Sequence, residues 1–425
     1  MIPKNINQVE LKKIKQNVSG RSGLSWIQGS LKHIGLYEEI DKISPLKGRS
    51  NKELLMSQKL GSEIMSRIDG ASAIEDIEVI RKDIGLARIT GEKVVSADTI
   101  RNILKCKGTS KTIKAINRWL SIKAMKASDI VEFTYDNDAT YFESQKKSAS
   151  YSYRESKDFS GLLGFITELD LCVTIAFRAG NVSPRTGIVE QIKEAISISK
   201  EAGKRIGVVR LDSAGHNNEI FKICQKEGIK YYITLGQNVA VKELIVSIEN
   251  KKWNKLKGTD REYAESIYVT NEGVSSRMIT LRWKKRQGEL FSDSYSYHVI
   301  GTNDESVNIE NILEIHAGRM GSENYNKELK SGYNCDWSPS HDFRMNANYF
   351  YIGVLAYNCV EFVKRFFIQS EEITRYRIKK FRHWFIKISG KLVKTGRKYY
   401  FHLINVTDKS YEMVQSIWRR LQYEW

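Results

Sequence analysis

The stretch "RIGVVRLDSAGHNNEIFKICQKEGIKYYITL", Arg205 to Leu235, constrains the fold more than any other part of the chain. "RIGVVRL" is a continuous apolar run of strand length, the kind buried on both faces. In "NNEIFKICQKEG", Ile220, Ile223 and Cys224 share one helical face and Gly228 supplies the stop. "IKYYITL" is a second strand. Strand, helix and strand in close succession require parallel pairing with the helix laid on the sheet. Just upstream, "GIVEQIKEAISISKEAGKR" sets Ile188, Ile192, Ala195 and Ile196 on one face ahead of Gly203, so helices and strands alternate. The fold class is α/β.

The flanking patterns divide the chain further. Residues 1–128 read as helical: "LSWIQGSLKHIGLYEEI" and "ADTIRNILKCKG" repeat apolar residues at three- and four-residue spacings, with Ser96 or Asp98 as a helix cap. Short basic helices suit DNA binding, as they suit other tasks. In "IVEFTYDNDATYFES", Val131, Phe133 and Tyr135 alternate with polar neighbours, which is the period of a strand. "GFITELDLCVTIAFRAG" adds one or two more strands. The helical period fades over 236–310, where "AESIYVT", "RMITLRW" and "YSYHVIG" read as strands of a β-rich insertion. Helices are expected from about 319 to the end. The expected units are 1–128, 129–235, 236–310, 311–368 and a basic helical segment, 369–425.

Charge narrows the partners. The 425 residues carry a net charge of +18, with a pI near 9.4. Such an excess fits a polyanion, either nucleic acid or an anionic membrane surface, although it also solubilises. Between Lys364 and Lys398 twelve Lys/Arg face two Glu, with Phe366, Phe367, Tyr376, Phe381, Trp384 and Phe385 interleaved. Cations beside flat rings suit a nucleic-acid surface, while an amphipathic helix with its aromatics in the core gives the same pattern. The most apolar long run, "YFYIGVLAYNCVEFVKRFF", is broken by Asn358, Glu361 and Lys364 and reads as a buried helix, not a membrane span. Cys106, Cys172, Cys224, Cys335 and Cys359 form no CxxC, and "MIPKNINQVELKKIKQ" has no signal-peptide run. A cytoplasmic protein that stays off membranes is expected.

Carboxylates stand where chemistry collects in such sheets, at the carboxyl ends of strands. Asp212 ends one strand, and Asp136 and Asp138 lie in another. Two such groups can hold hard divalent cations, although Asp212 alone reads more readily as an ordinary cap or loop residue. A third group comes from "IHAGRMGSENYNKELKSGY". On a helix, with Arg319 as zero, Glu323 falls at about 40°, Lys330 at about 20° and His316 at about 60°. A carboxylate flanked by cations on one stripe suits a site for metal and phosphate together, and it also suits a solvated row of salt bridges. Gly318 and Gly321 weaken the first turn as a helix.

Taken together, "DNDAT", "RLDSAG" with "EIFKICQKEGIKYYI", then Arg319, Glu323 and Lys330 with "ELKSGY", and "NYFYIGVLAYN" resemble the DDE transposases of bacterial insertion sequences. The resemblance is closest to the insertion sequence 1380 group within the insertion sequence 4-like superfamily. It covers roughly residues 20–400. It implies an RNase H-like catalytic core with a β-rich insertion, a helical DNA-binding domain before it and a basic segment after it. It makes Asp138, followed by Thr140 in a D-x-T pattern, the first carboxylate, Asp212 the second and Glu323 the third. These would be both catalytic residues and ligands of Mg²⁺, with Mn²⁺ able to substitute. Arg319 and Lys330 would meet DNA phosphate, and so would His316, which stands where the family pattern has tyrosine. The implied partner is double-stranded DNA, the terminal inverted repeats of an element and its target, bound by a homodimer on paired ends in a bacterial cytoplasm.

The implied reaction is phosphodiester hydrolysis followed by strand transfer, both in-line displacements at phosphorus that paired metal ions can serve. A DNA-binding protein descended from a transposase but lacking catalysis, or a metal-dependent nuclease that never joins strands, would share the charge. Trp253 and Trp283 in the insertion are placed in its core rather than in the site.

Overall fold

The computed structural model describes residues 17–44, 54–284, 295–368 and 370–421. The N-terminal stretch 1–16, expected to carry no signal peptide, lies outside them. Among the described residues seven α-helices come first: α1 (Leu24–His33), α2 (Leu36–Ile43), α3 (Met56–Asp69), α4 (Ile77–Arg81), α5 (Ile84–Thr90), α6 (Ala97–Lys105) and α7 (Thr109–Ala127). Ser96 caps α6 by accepting from the Thr99 amide at 3.3 Å, while Asp98 pairs with Arg101.

The α/β part then runs β1 (Glu132–Glu143), β2 (Ser150–Tyr151), β3 (Lys157–Ile166), β4 (Leu171–Ala179), α8 (Ile188–Glu201), β5 (Arg205–Leu211), α9 (Asn218–Glu227) and β6 (Lys230–Thr234). As the alternation requires, β1, β5 and β6 are parallel neighbours. β3 pairs antiparallel with β1, and β4 with β3, so the strands lie in the order β4-β3-β1-β5-β6.

The insertion comprises α10 (Val239–Ser247), β7 (Asn254–Lys255), β8 (Glu262–Val269), β9 (Ser275–Lys284) and β10 (Tyr295–Thr302). It is not a separate β layer. β10 pairs antiparallel with β6, so β10, β9, β8 and β7 continue the same sheet. Its helix α10 departs from the expected run of strands. Asn238 caps it from the Val241 amide at 3.0 Å, and Val241 and Ile245, four residues apart, are its buried positions.

Helices resume at α11 (Ile309–Ala317), earlier than expected, and continue through α12 (Gly321–Tyr333), α13 (Phe343–Phe367), α14 (Glu371–Thr374) and α15 (Ile378–Phe381). The C-terminal segment is not helical throughout. β11 (Ser389–Thr395) and β12 (Lys398–Ile404) form a separate hairpin before α16 (Asp408–Arg420). A two-residue turn at Gly396–Arg397, with φ +61° at Gly396, lets the chain reverse there.

α13 is the buried pillar of the molecule. Nearly every residue from Met345 to Lys364 is inside, and among the described residues no helix is long and apolar enough to cross a membrane. Its Asn358 bonds both backbone groups of Cys172 on β4, and Asn117 of α7 bonds the same carbonyl, so helices and sheet are stitched together by satisfied amides. α8 packs on one face of the sheet and α12 and α13 on the other. The carboxylates Asp138, midway along β1, and Asp212, just past β5, therefore meet on the α12 side of the sheet.

Candidate active site

A bulge decides which carboxylates meet. Phe133 lies beside Ile206, but Thr134 lies beside Val208, so Gly207 is the extra residue on β5. Beyond it Asp136 pairs with Arg210 and Asn137 with Leu211. The next residues are therefore neighbours, Asp138 in the middle of β1 and Asp212 just past the carboxyl end of β5. With a side-chain period of two they share the face of Asp136 and Arg210. Without the extra residue the pairing would slip by one and turn the carboxylates to opposite faces.

Asp212 is a cap, one of its two sequence readings. Its Oδ1 accepts from the Ala214 amide at 2.9 Å, a cap on the following turn, and its charge is also felt by Asp138. Asp138 is pushed up from the ordinary carboxylate value to about 6, first by burial and then by the Asp212 charge, with Glu323 adding and Arg319 opposing. Asn326 Nδ2 donates to Asp138 Oδ2 at 3.0 Å.

Asp136 has a different partner. It is fully buried, and both oxygens accept from Arg210, each at 2.7 Å. Arg210 Nη1 also donates to the Ile315 carbonyl at 3.1 Å. That guanidinium lies under Gly318, where a Cβ would stand 2.1 Å from Nη1. The glycine that weakens a helix in the sequence thus provides room, and the backbone stays helical from Ala317 to Gly321 through one tightened turn joining α11 to α12.

On α12 and the turn before it, Arg319 acts on Asp136 and Asp138, and its buried Nε has no hydrogen-bond partner among the described residues. Glu323 is exposed at the same end of the helix. Lys330 lies within reach of the Asp138 charge but is held further along the same strand. It donates to the Tyr141 carbonyl at 2.8 Å, stands 5.2 Å above the Phe142 ring, and is pushed below the usual lysine value by burial. His316 is buried, shares a 3.0 Å hydrogen bond with Thr234 Oγ1 and packs on His298. Burial, then His298, Arg319 and Arg210, push it down to about 3, so it is neutral. Trp253 and Trp283 are half-buried in the insertion, under Arg282 and Arg261 respectively.

The sequence reading missed Arg210 and Asn326. Asn326 had a signal, because it falls at about −20° on the same stripe as Arg319, Glu323 and Lys330. Arg210 had none, because its partner is fixed by the register across the bulge.

The chain matches the family model described as Transposase DDE domain group 1 over residues 3–423. It belongs to the DDE transposase family. No curated protein matches it. Among solved structures, one titled a piggyBac transposase synaptic complex with hairpin DNA is similar over 85% of this chain and 79% of that one, at 10% identity and a TM-score of 0.48, too remote to bear on the chemistry.

DDE transposases typically use divalent metal, and two members of the expected donor set stand together here. Asp138 and Asp212 are hard oxygen donors side by side, and Asp138, raised first by burial and then by the Asp212 charge, is a carboxyl whose ionised form a cation would favour. Among the described residues no three His, Cys, Asp or Glu side chains are grouped closely enough to hold an ion. Glu323 stands outside the pair, on the solvent side.

Proposed function

We propose that this transposase cuts the ends of its own DNA element and joins the freed 3′-hydroxyls to target DNA, with Asp138, Asp212 and Glu323 as its catalytic carboxylates. The observation that carries the reading is the convergence of Asp138, midway along β1, and Asp212, at the end of the neighbouring β5, on one face of the sheet, with Asp138 raised to about 6 by burial and its neighbour. Bound Mg²⁺, or Mn²⁺ in its place, would supply activation of the attacking oxygen and stabilisation of the leaving one. Asp138 and Asp212 would hold the ion from the sheet, and Glu323 would close from α12. Asn326 orients Asp138 through its amide. Arg319, adjacent and with a free buried donor, would meet the scissile phosphate. The neutral His316 orders its surroundings and offers the phosphate no charge.

The strand order, with three parallel strands and an antiparallel pair, supports an RNase H-like core spanning 129–235 and 311–368, with 236–310 as its insertion. The helical segment 1–128 and the segment 369–425 are assigned to DNA binding. Duplex DNA, terminal repeats and target alike, is the substrate, a homodimer on paired ends is the working form, and the cytoplasm is the site of action.

The test is Asp212→Asn assayed on duplexes carrying the element's ends. Loss of cleavage with retained binding supports the assignment, and a variant that still cuts refutes it. Cleaved ends that never join would instead favour the nuclease, and a parent protein that binds without cutting would favour the binding-only descendant.

A further inference from the structure

We propose that the hairpin β11–β12 is a DNA-binding ribbon that seats in the major groove of duplex DNA. The inference rests on the reading of the chain as a DNA-processing enzyme and adds a docking element that neither the family match nor the catalytic residues supply. Between Ser389 and Ile404 there are four Lys/Arg, namely Lys391, Lys394, Arg397 and Lys398, and no Asp or Glu. The register sorts the two faces. Leu392 with Phe401 and Gly390 with Leu403 face inward, where Phe401 meets Trp26 edge-on at 4.7 Å. Lys391 with His402, Val393 with Tyr400, and Thr395 with Lys398 form the opposite face.

The base is fastened to the helical N-terminal segment. Ser19 and Gly390 exchange two backbone hydrogen bonds of 2.9 Å, and the Ser22 amide donates to the Ile388 carbonyl at 3.0 Å. The outer end projects from this anchor. Lys394 through Tyr400 are all exposed, Tyr399 at 63% and Tyr400 at 46%. Lysines on a bare strand edge also guard against edge-to-edge association. Exposed tyrosines on both faces of the outer end, Tyr399 beside Lys394 and Tyr400 beside Val393, work against that purpose, whereas they suit a ribbon whose two faces both meet a partner, as in a groove. Charge selects the partner: a strip of cations without a single carboxylate complements phosphate. Shape selects the groove: strand backbones about 4.8 Å apart make a ribbon that enters a major groove about 12 Å wide.

The experiment compares the full chain with Lys394→Ala/Arg397→Ala/Lys398→Ala and with a charge-matched control on α8 and α9, Lys193→Ala/Lys200→Ala/Lys226→Ala, all exposed positions outside the segments assigned to DNA binding. Binding to a duplex oligonucleotide is followed across a salt series. Each lost phosphate contact removes about 0.9 from the slope of log K against log salt, so the hairpin variant should lose about 2 to 3 and the control far less. An unchanged slope, or an equal loss in both variants, overturns the ribbon. A parent that binds no duplex refutes the transposase reading itself, which the two variants alone would not do. Should the triple variant fold poorly, Arg397→Ala at the exposed tip keeps the test, with an expected loss of about 0.9 and refutation if the slope does not move.

Discussion

Asp136 and Arg210 stand side by side on β1 and β5, joined by two hydrogen bonds of 2.7 Å, and the same guanidinium holds the Ile315 carbonyl. One ion pair therefore links the neighbouring strands that carry Asp138 and lead into Asp212 to the helical segment that carries Arg319 and Glu323. It sits one turn of the pleat below the carboxylates, on the same face. Asp136 is consequently a positioning residue, occupied by Arg210 and unavailable as an alternative to Asp138.

Breaking this pair from one side leaves a buried cation unmatched. Asp136→Asn should lose about 3–5 kcal/mol of stability in urea denaturation. The apolar double replacement Asp136→Leu/Arg210→Met should recover most of that, because neither charge is left stranded. A single variant as stable as the parent, or a double no better than the single, would show that the pair is not what fastens α11 to the sheet.

Asp138 carries a pH signature of opposite sign to an ordinary paired carboxylate. Its folded value near 6 lies above the ordinary value of 3.8. Between those two values the folded chain holds a proton that the unfolded chain has released, so stability falls as pH rises through the window. Above pH 6 the penalty is complete, roughly two pKa units at about 1.4 kcal/mol each, or up to about 3 kcal/mol. Metal-free Asp138→Asn should thus melt above the parent at pH 8 and level with it at pH 4. Added Mg²⁺ should raise the parent more than the variant. Equal melting at pH 8 in chelator would remove the case for an electrostatically loaded site.

Much of this site was legible in the sequence because its signals are local. The apolar run ending at Asp212, the cap-bearing residues after it and the stripe holding Arg319, Glu323 and Lys330 each lie within one element and its period. What escaped depends on pairing between distant segments. The bulge at Gly207 sets the register of Asp138 and Asp212, yet a lone glycine in a strand does not announce which way the register shifts. The joining of β10 to β6 is likewise a long-range choice. The C-terminal hairpin was different, since Thr395-Gly396-Arg397 is a turn signal that the basic and aromatic spacing obscured.

His316 shows how a stripe can mislead. It falls within the sector of Arg319 and Glu323, but its ring turns to Thr234 and His298. With its value pushed down to about 3, its proton resonance should not titrate between pH 5 and 8, and His316→Gln should leave the pH profile of cleavage unchanged over that range. The neutral ring favours the folded state fully above pH 6.5, and that contribution is lost as pH falls toward 3. The glutamine variant should accordingly lose less stability than the parent on acidification. An imidazole signal moving near pH 6 would return His316 to the role of a cation facing phosphate.

Two glycines three residues apart separate packing from helix propensity. A Cβ at Gly318 would stand 2.1 Å from Arg210 Nη1, an atom already held by the Ile315 carbonyl, whereas a Cβ at Gly321 would meet nothing within 4 Å. Both backbones are helical. Gly321→Ala should therefore gain about 0.5–1 kcal/mol by lowering the entropy of the unfolded chain and improving propensity. Gly318→Ala should lose about 1–3 kcal/mol, because the guanidinium or the helix must shift. Since that helix carries Arg319 and Glu323, Gly318→Ala should also depress cleavage by more than Gly321→Ala at a temperature where both are folded. Urea titrations with the cleavage assay decide it. If both alanines stabilise, Arg210 moves freely under the turn, and the coupling of sheet to helix through this pair is lost as an explanation for how the carboxylates are aligned.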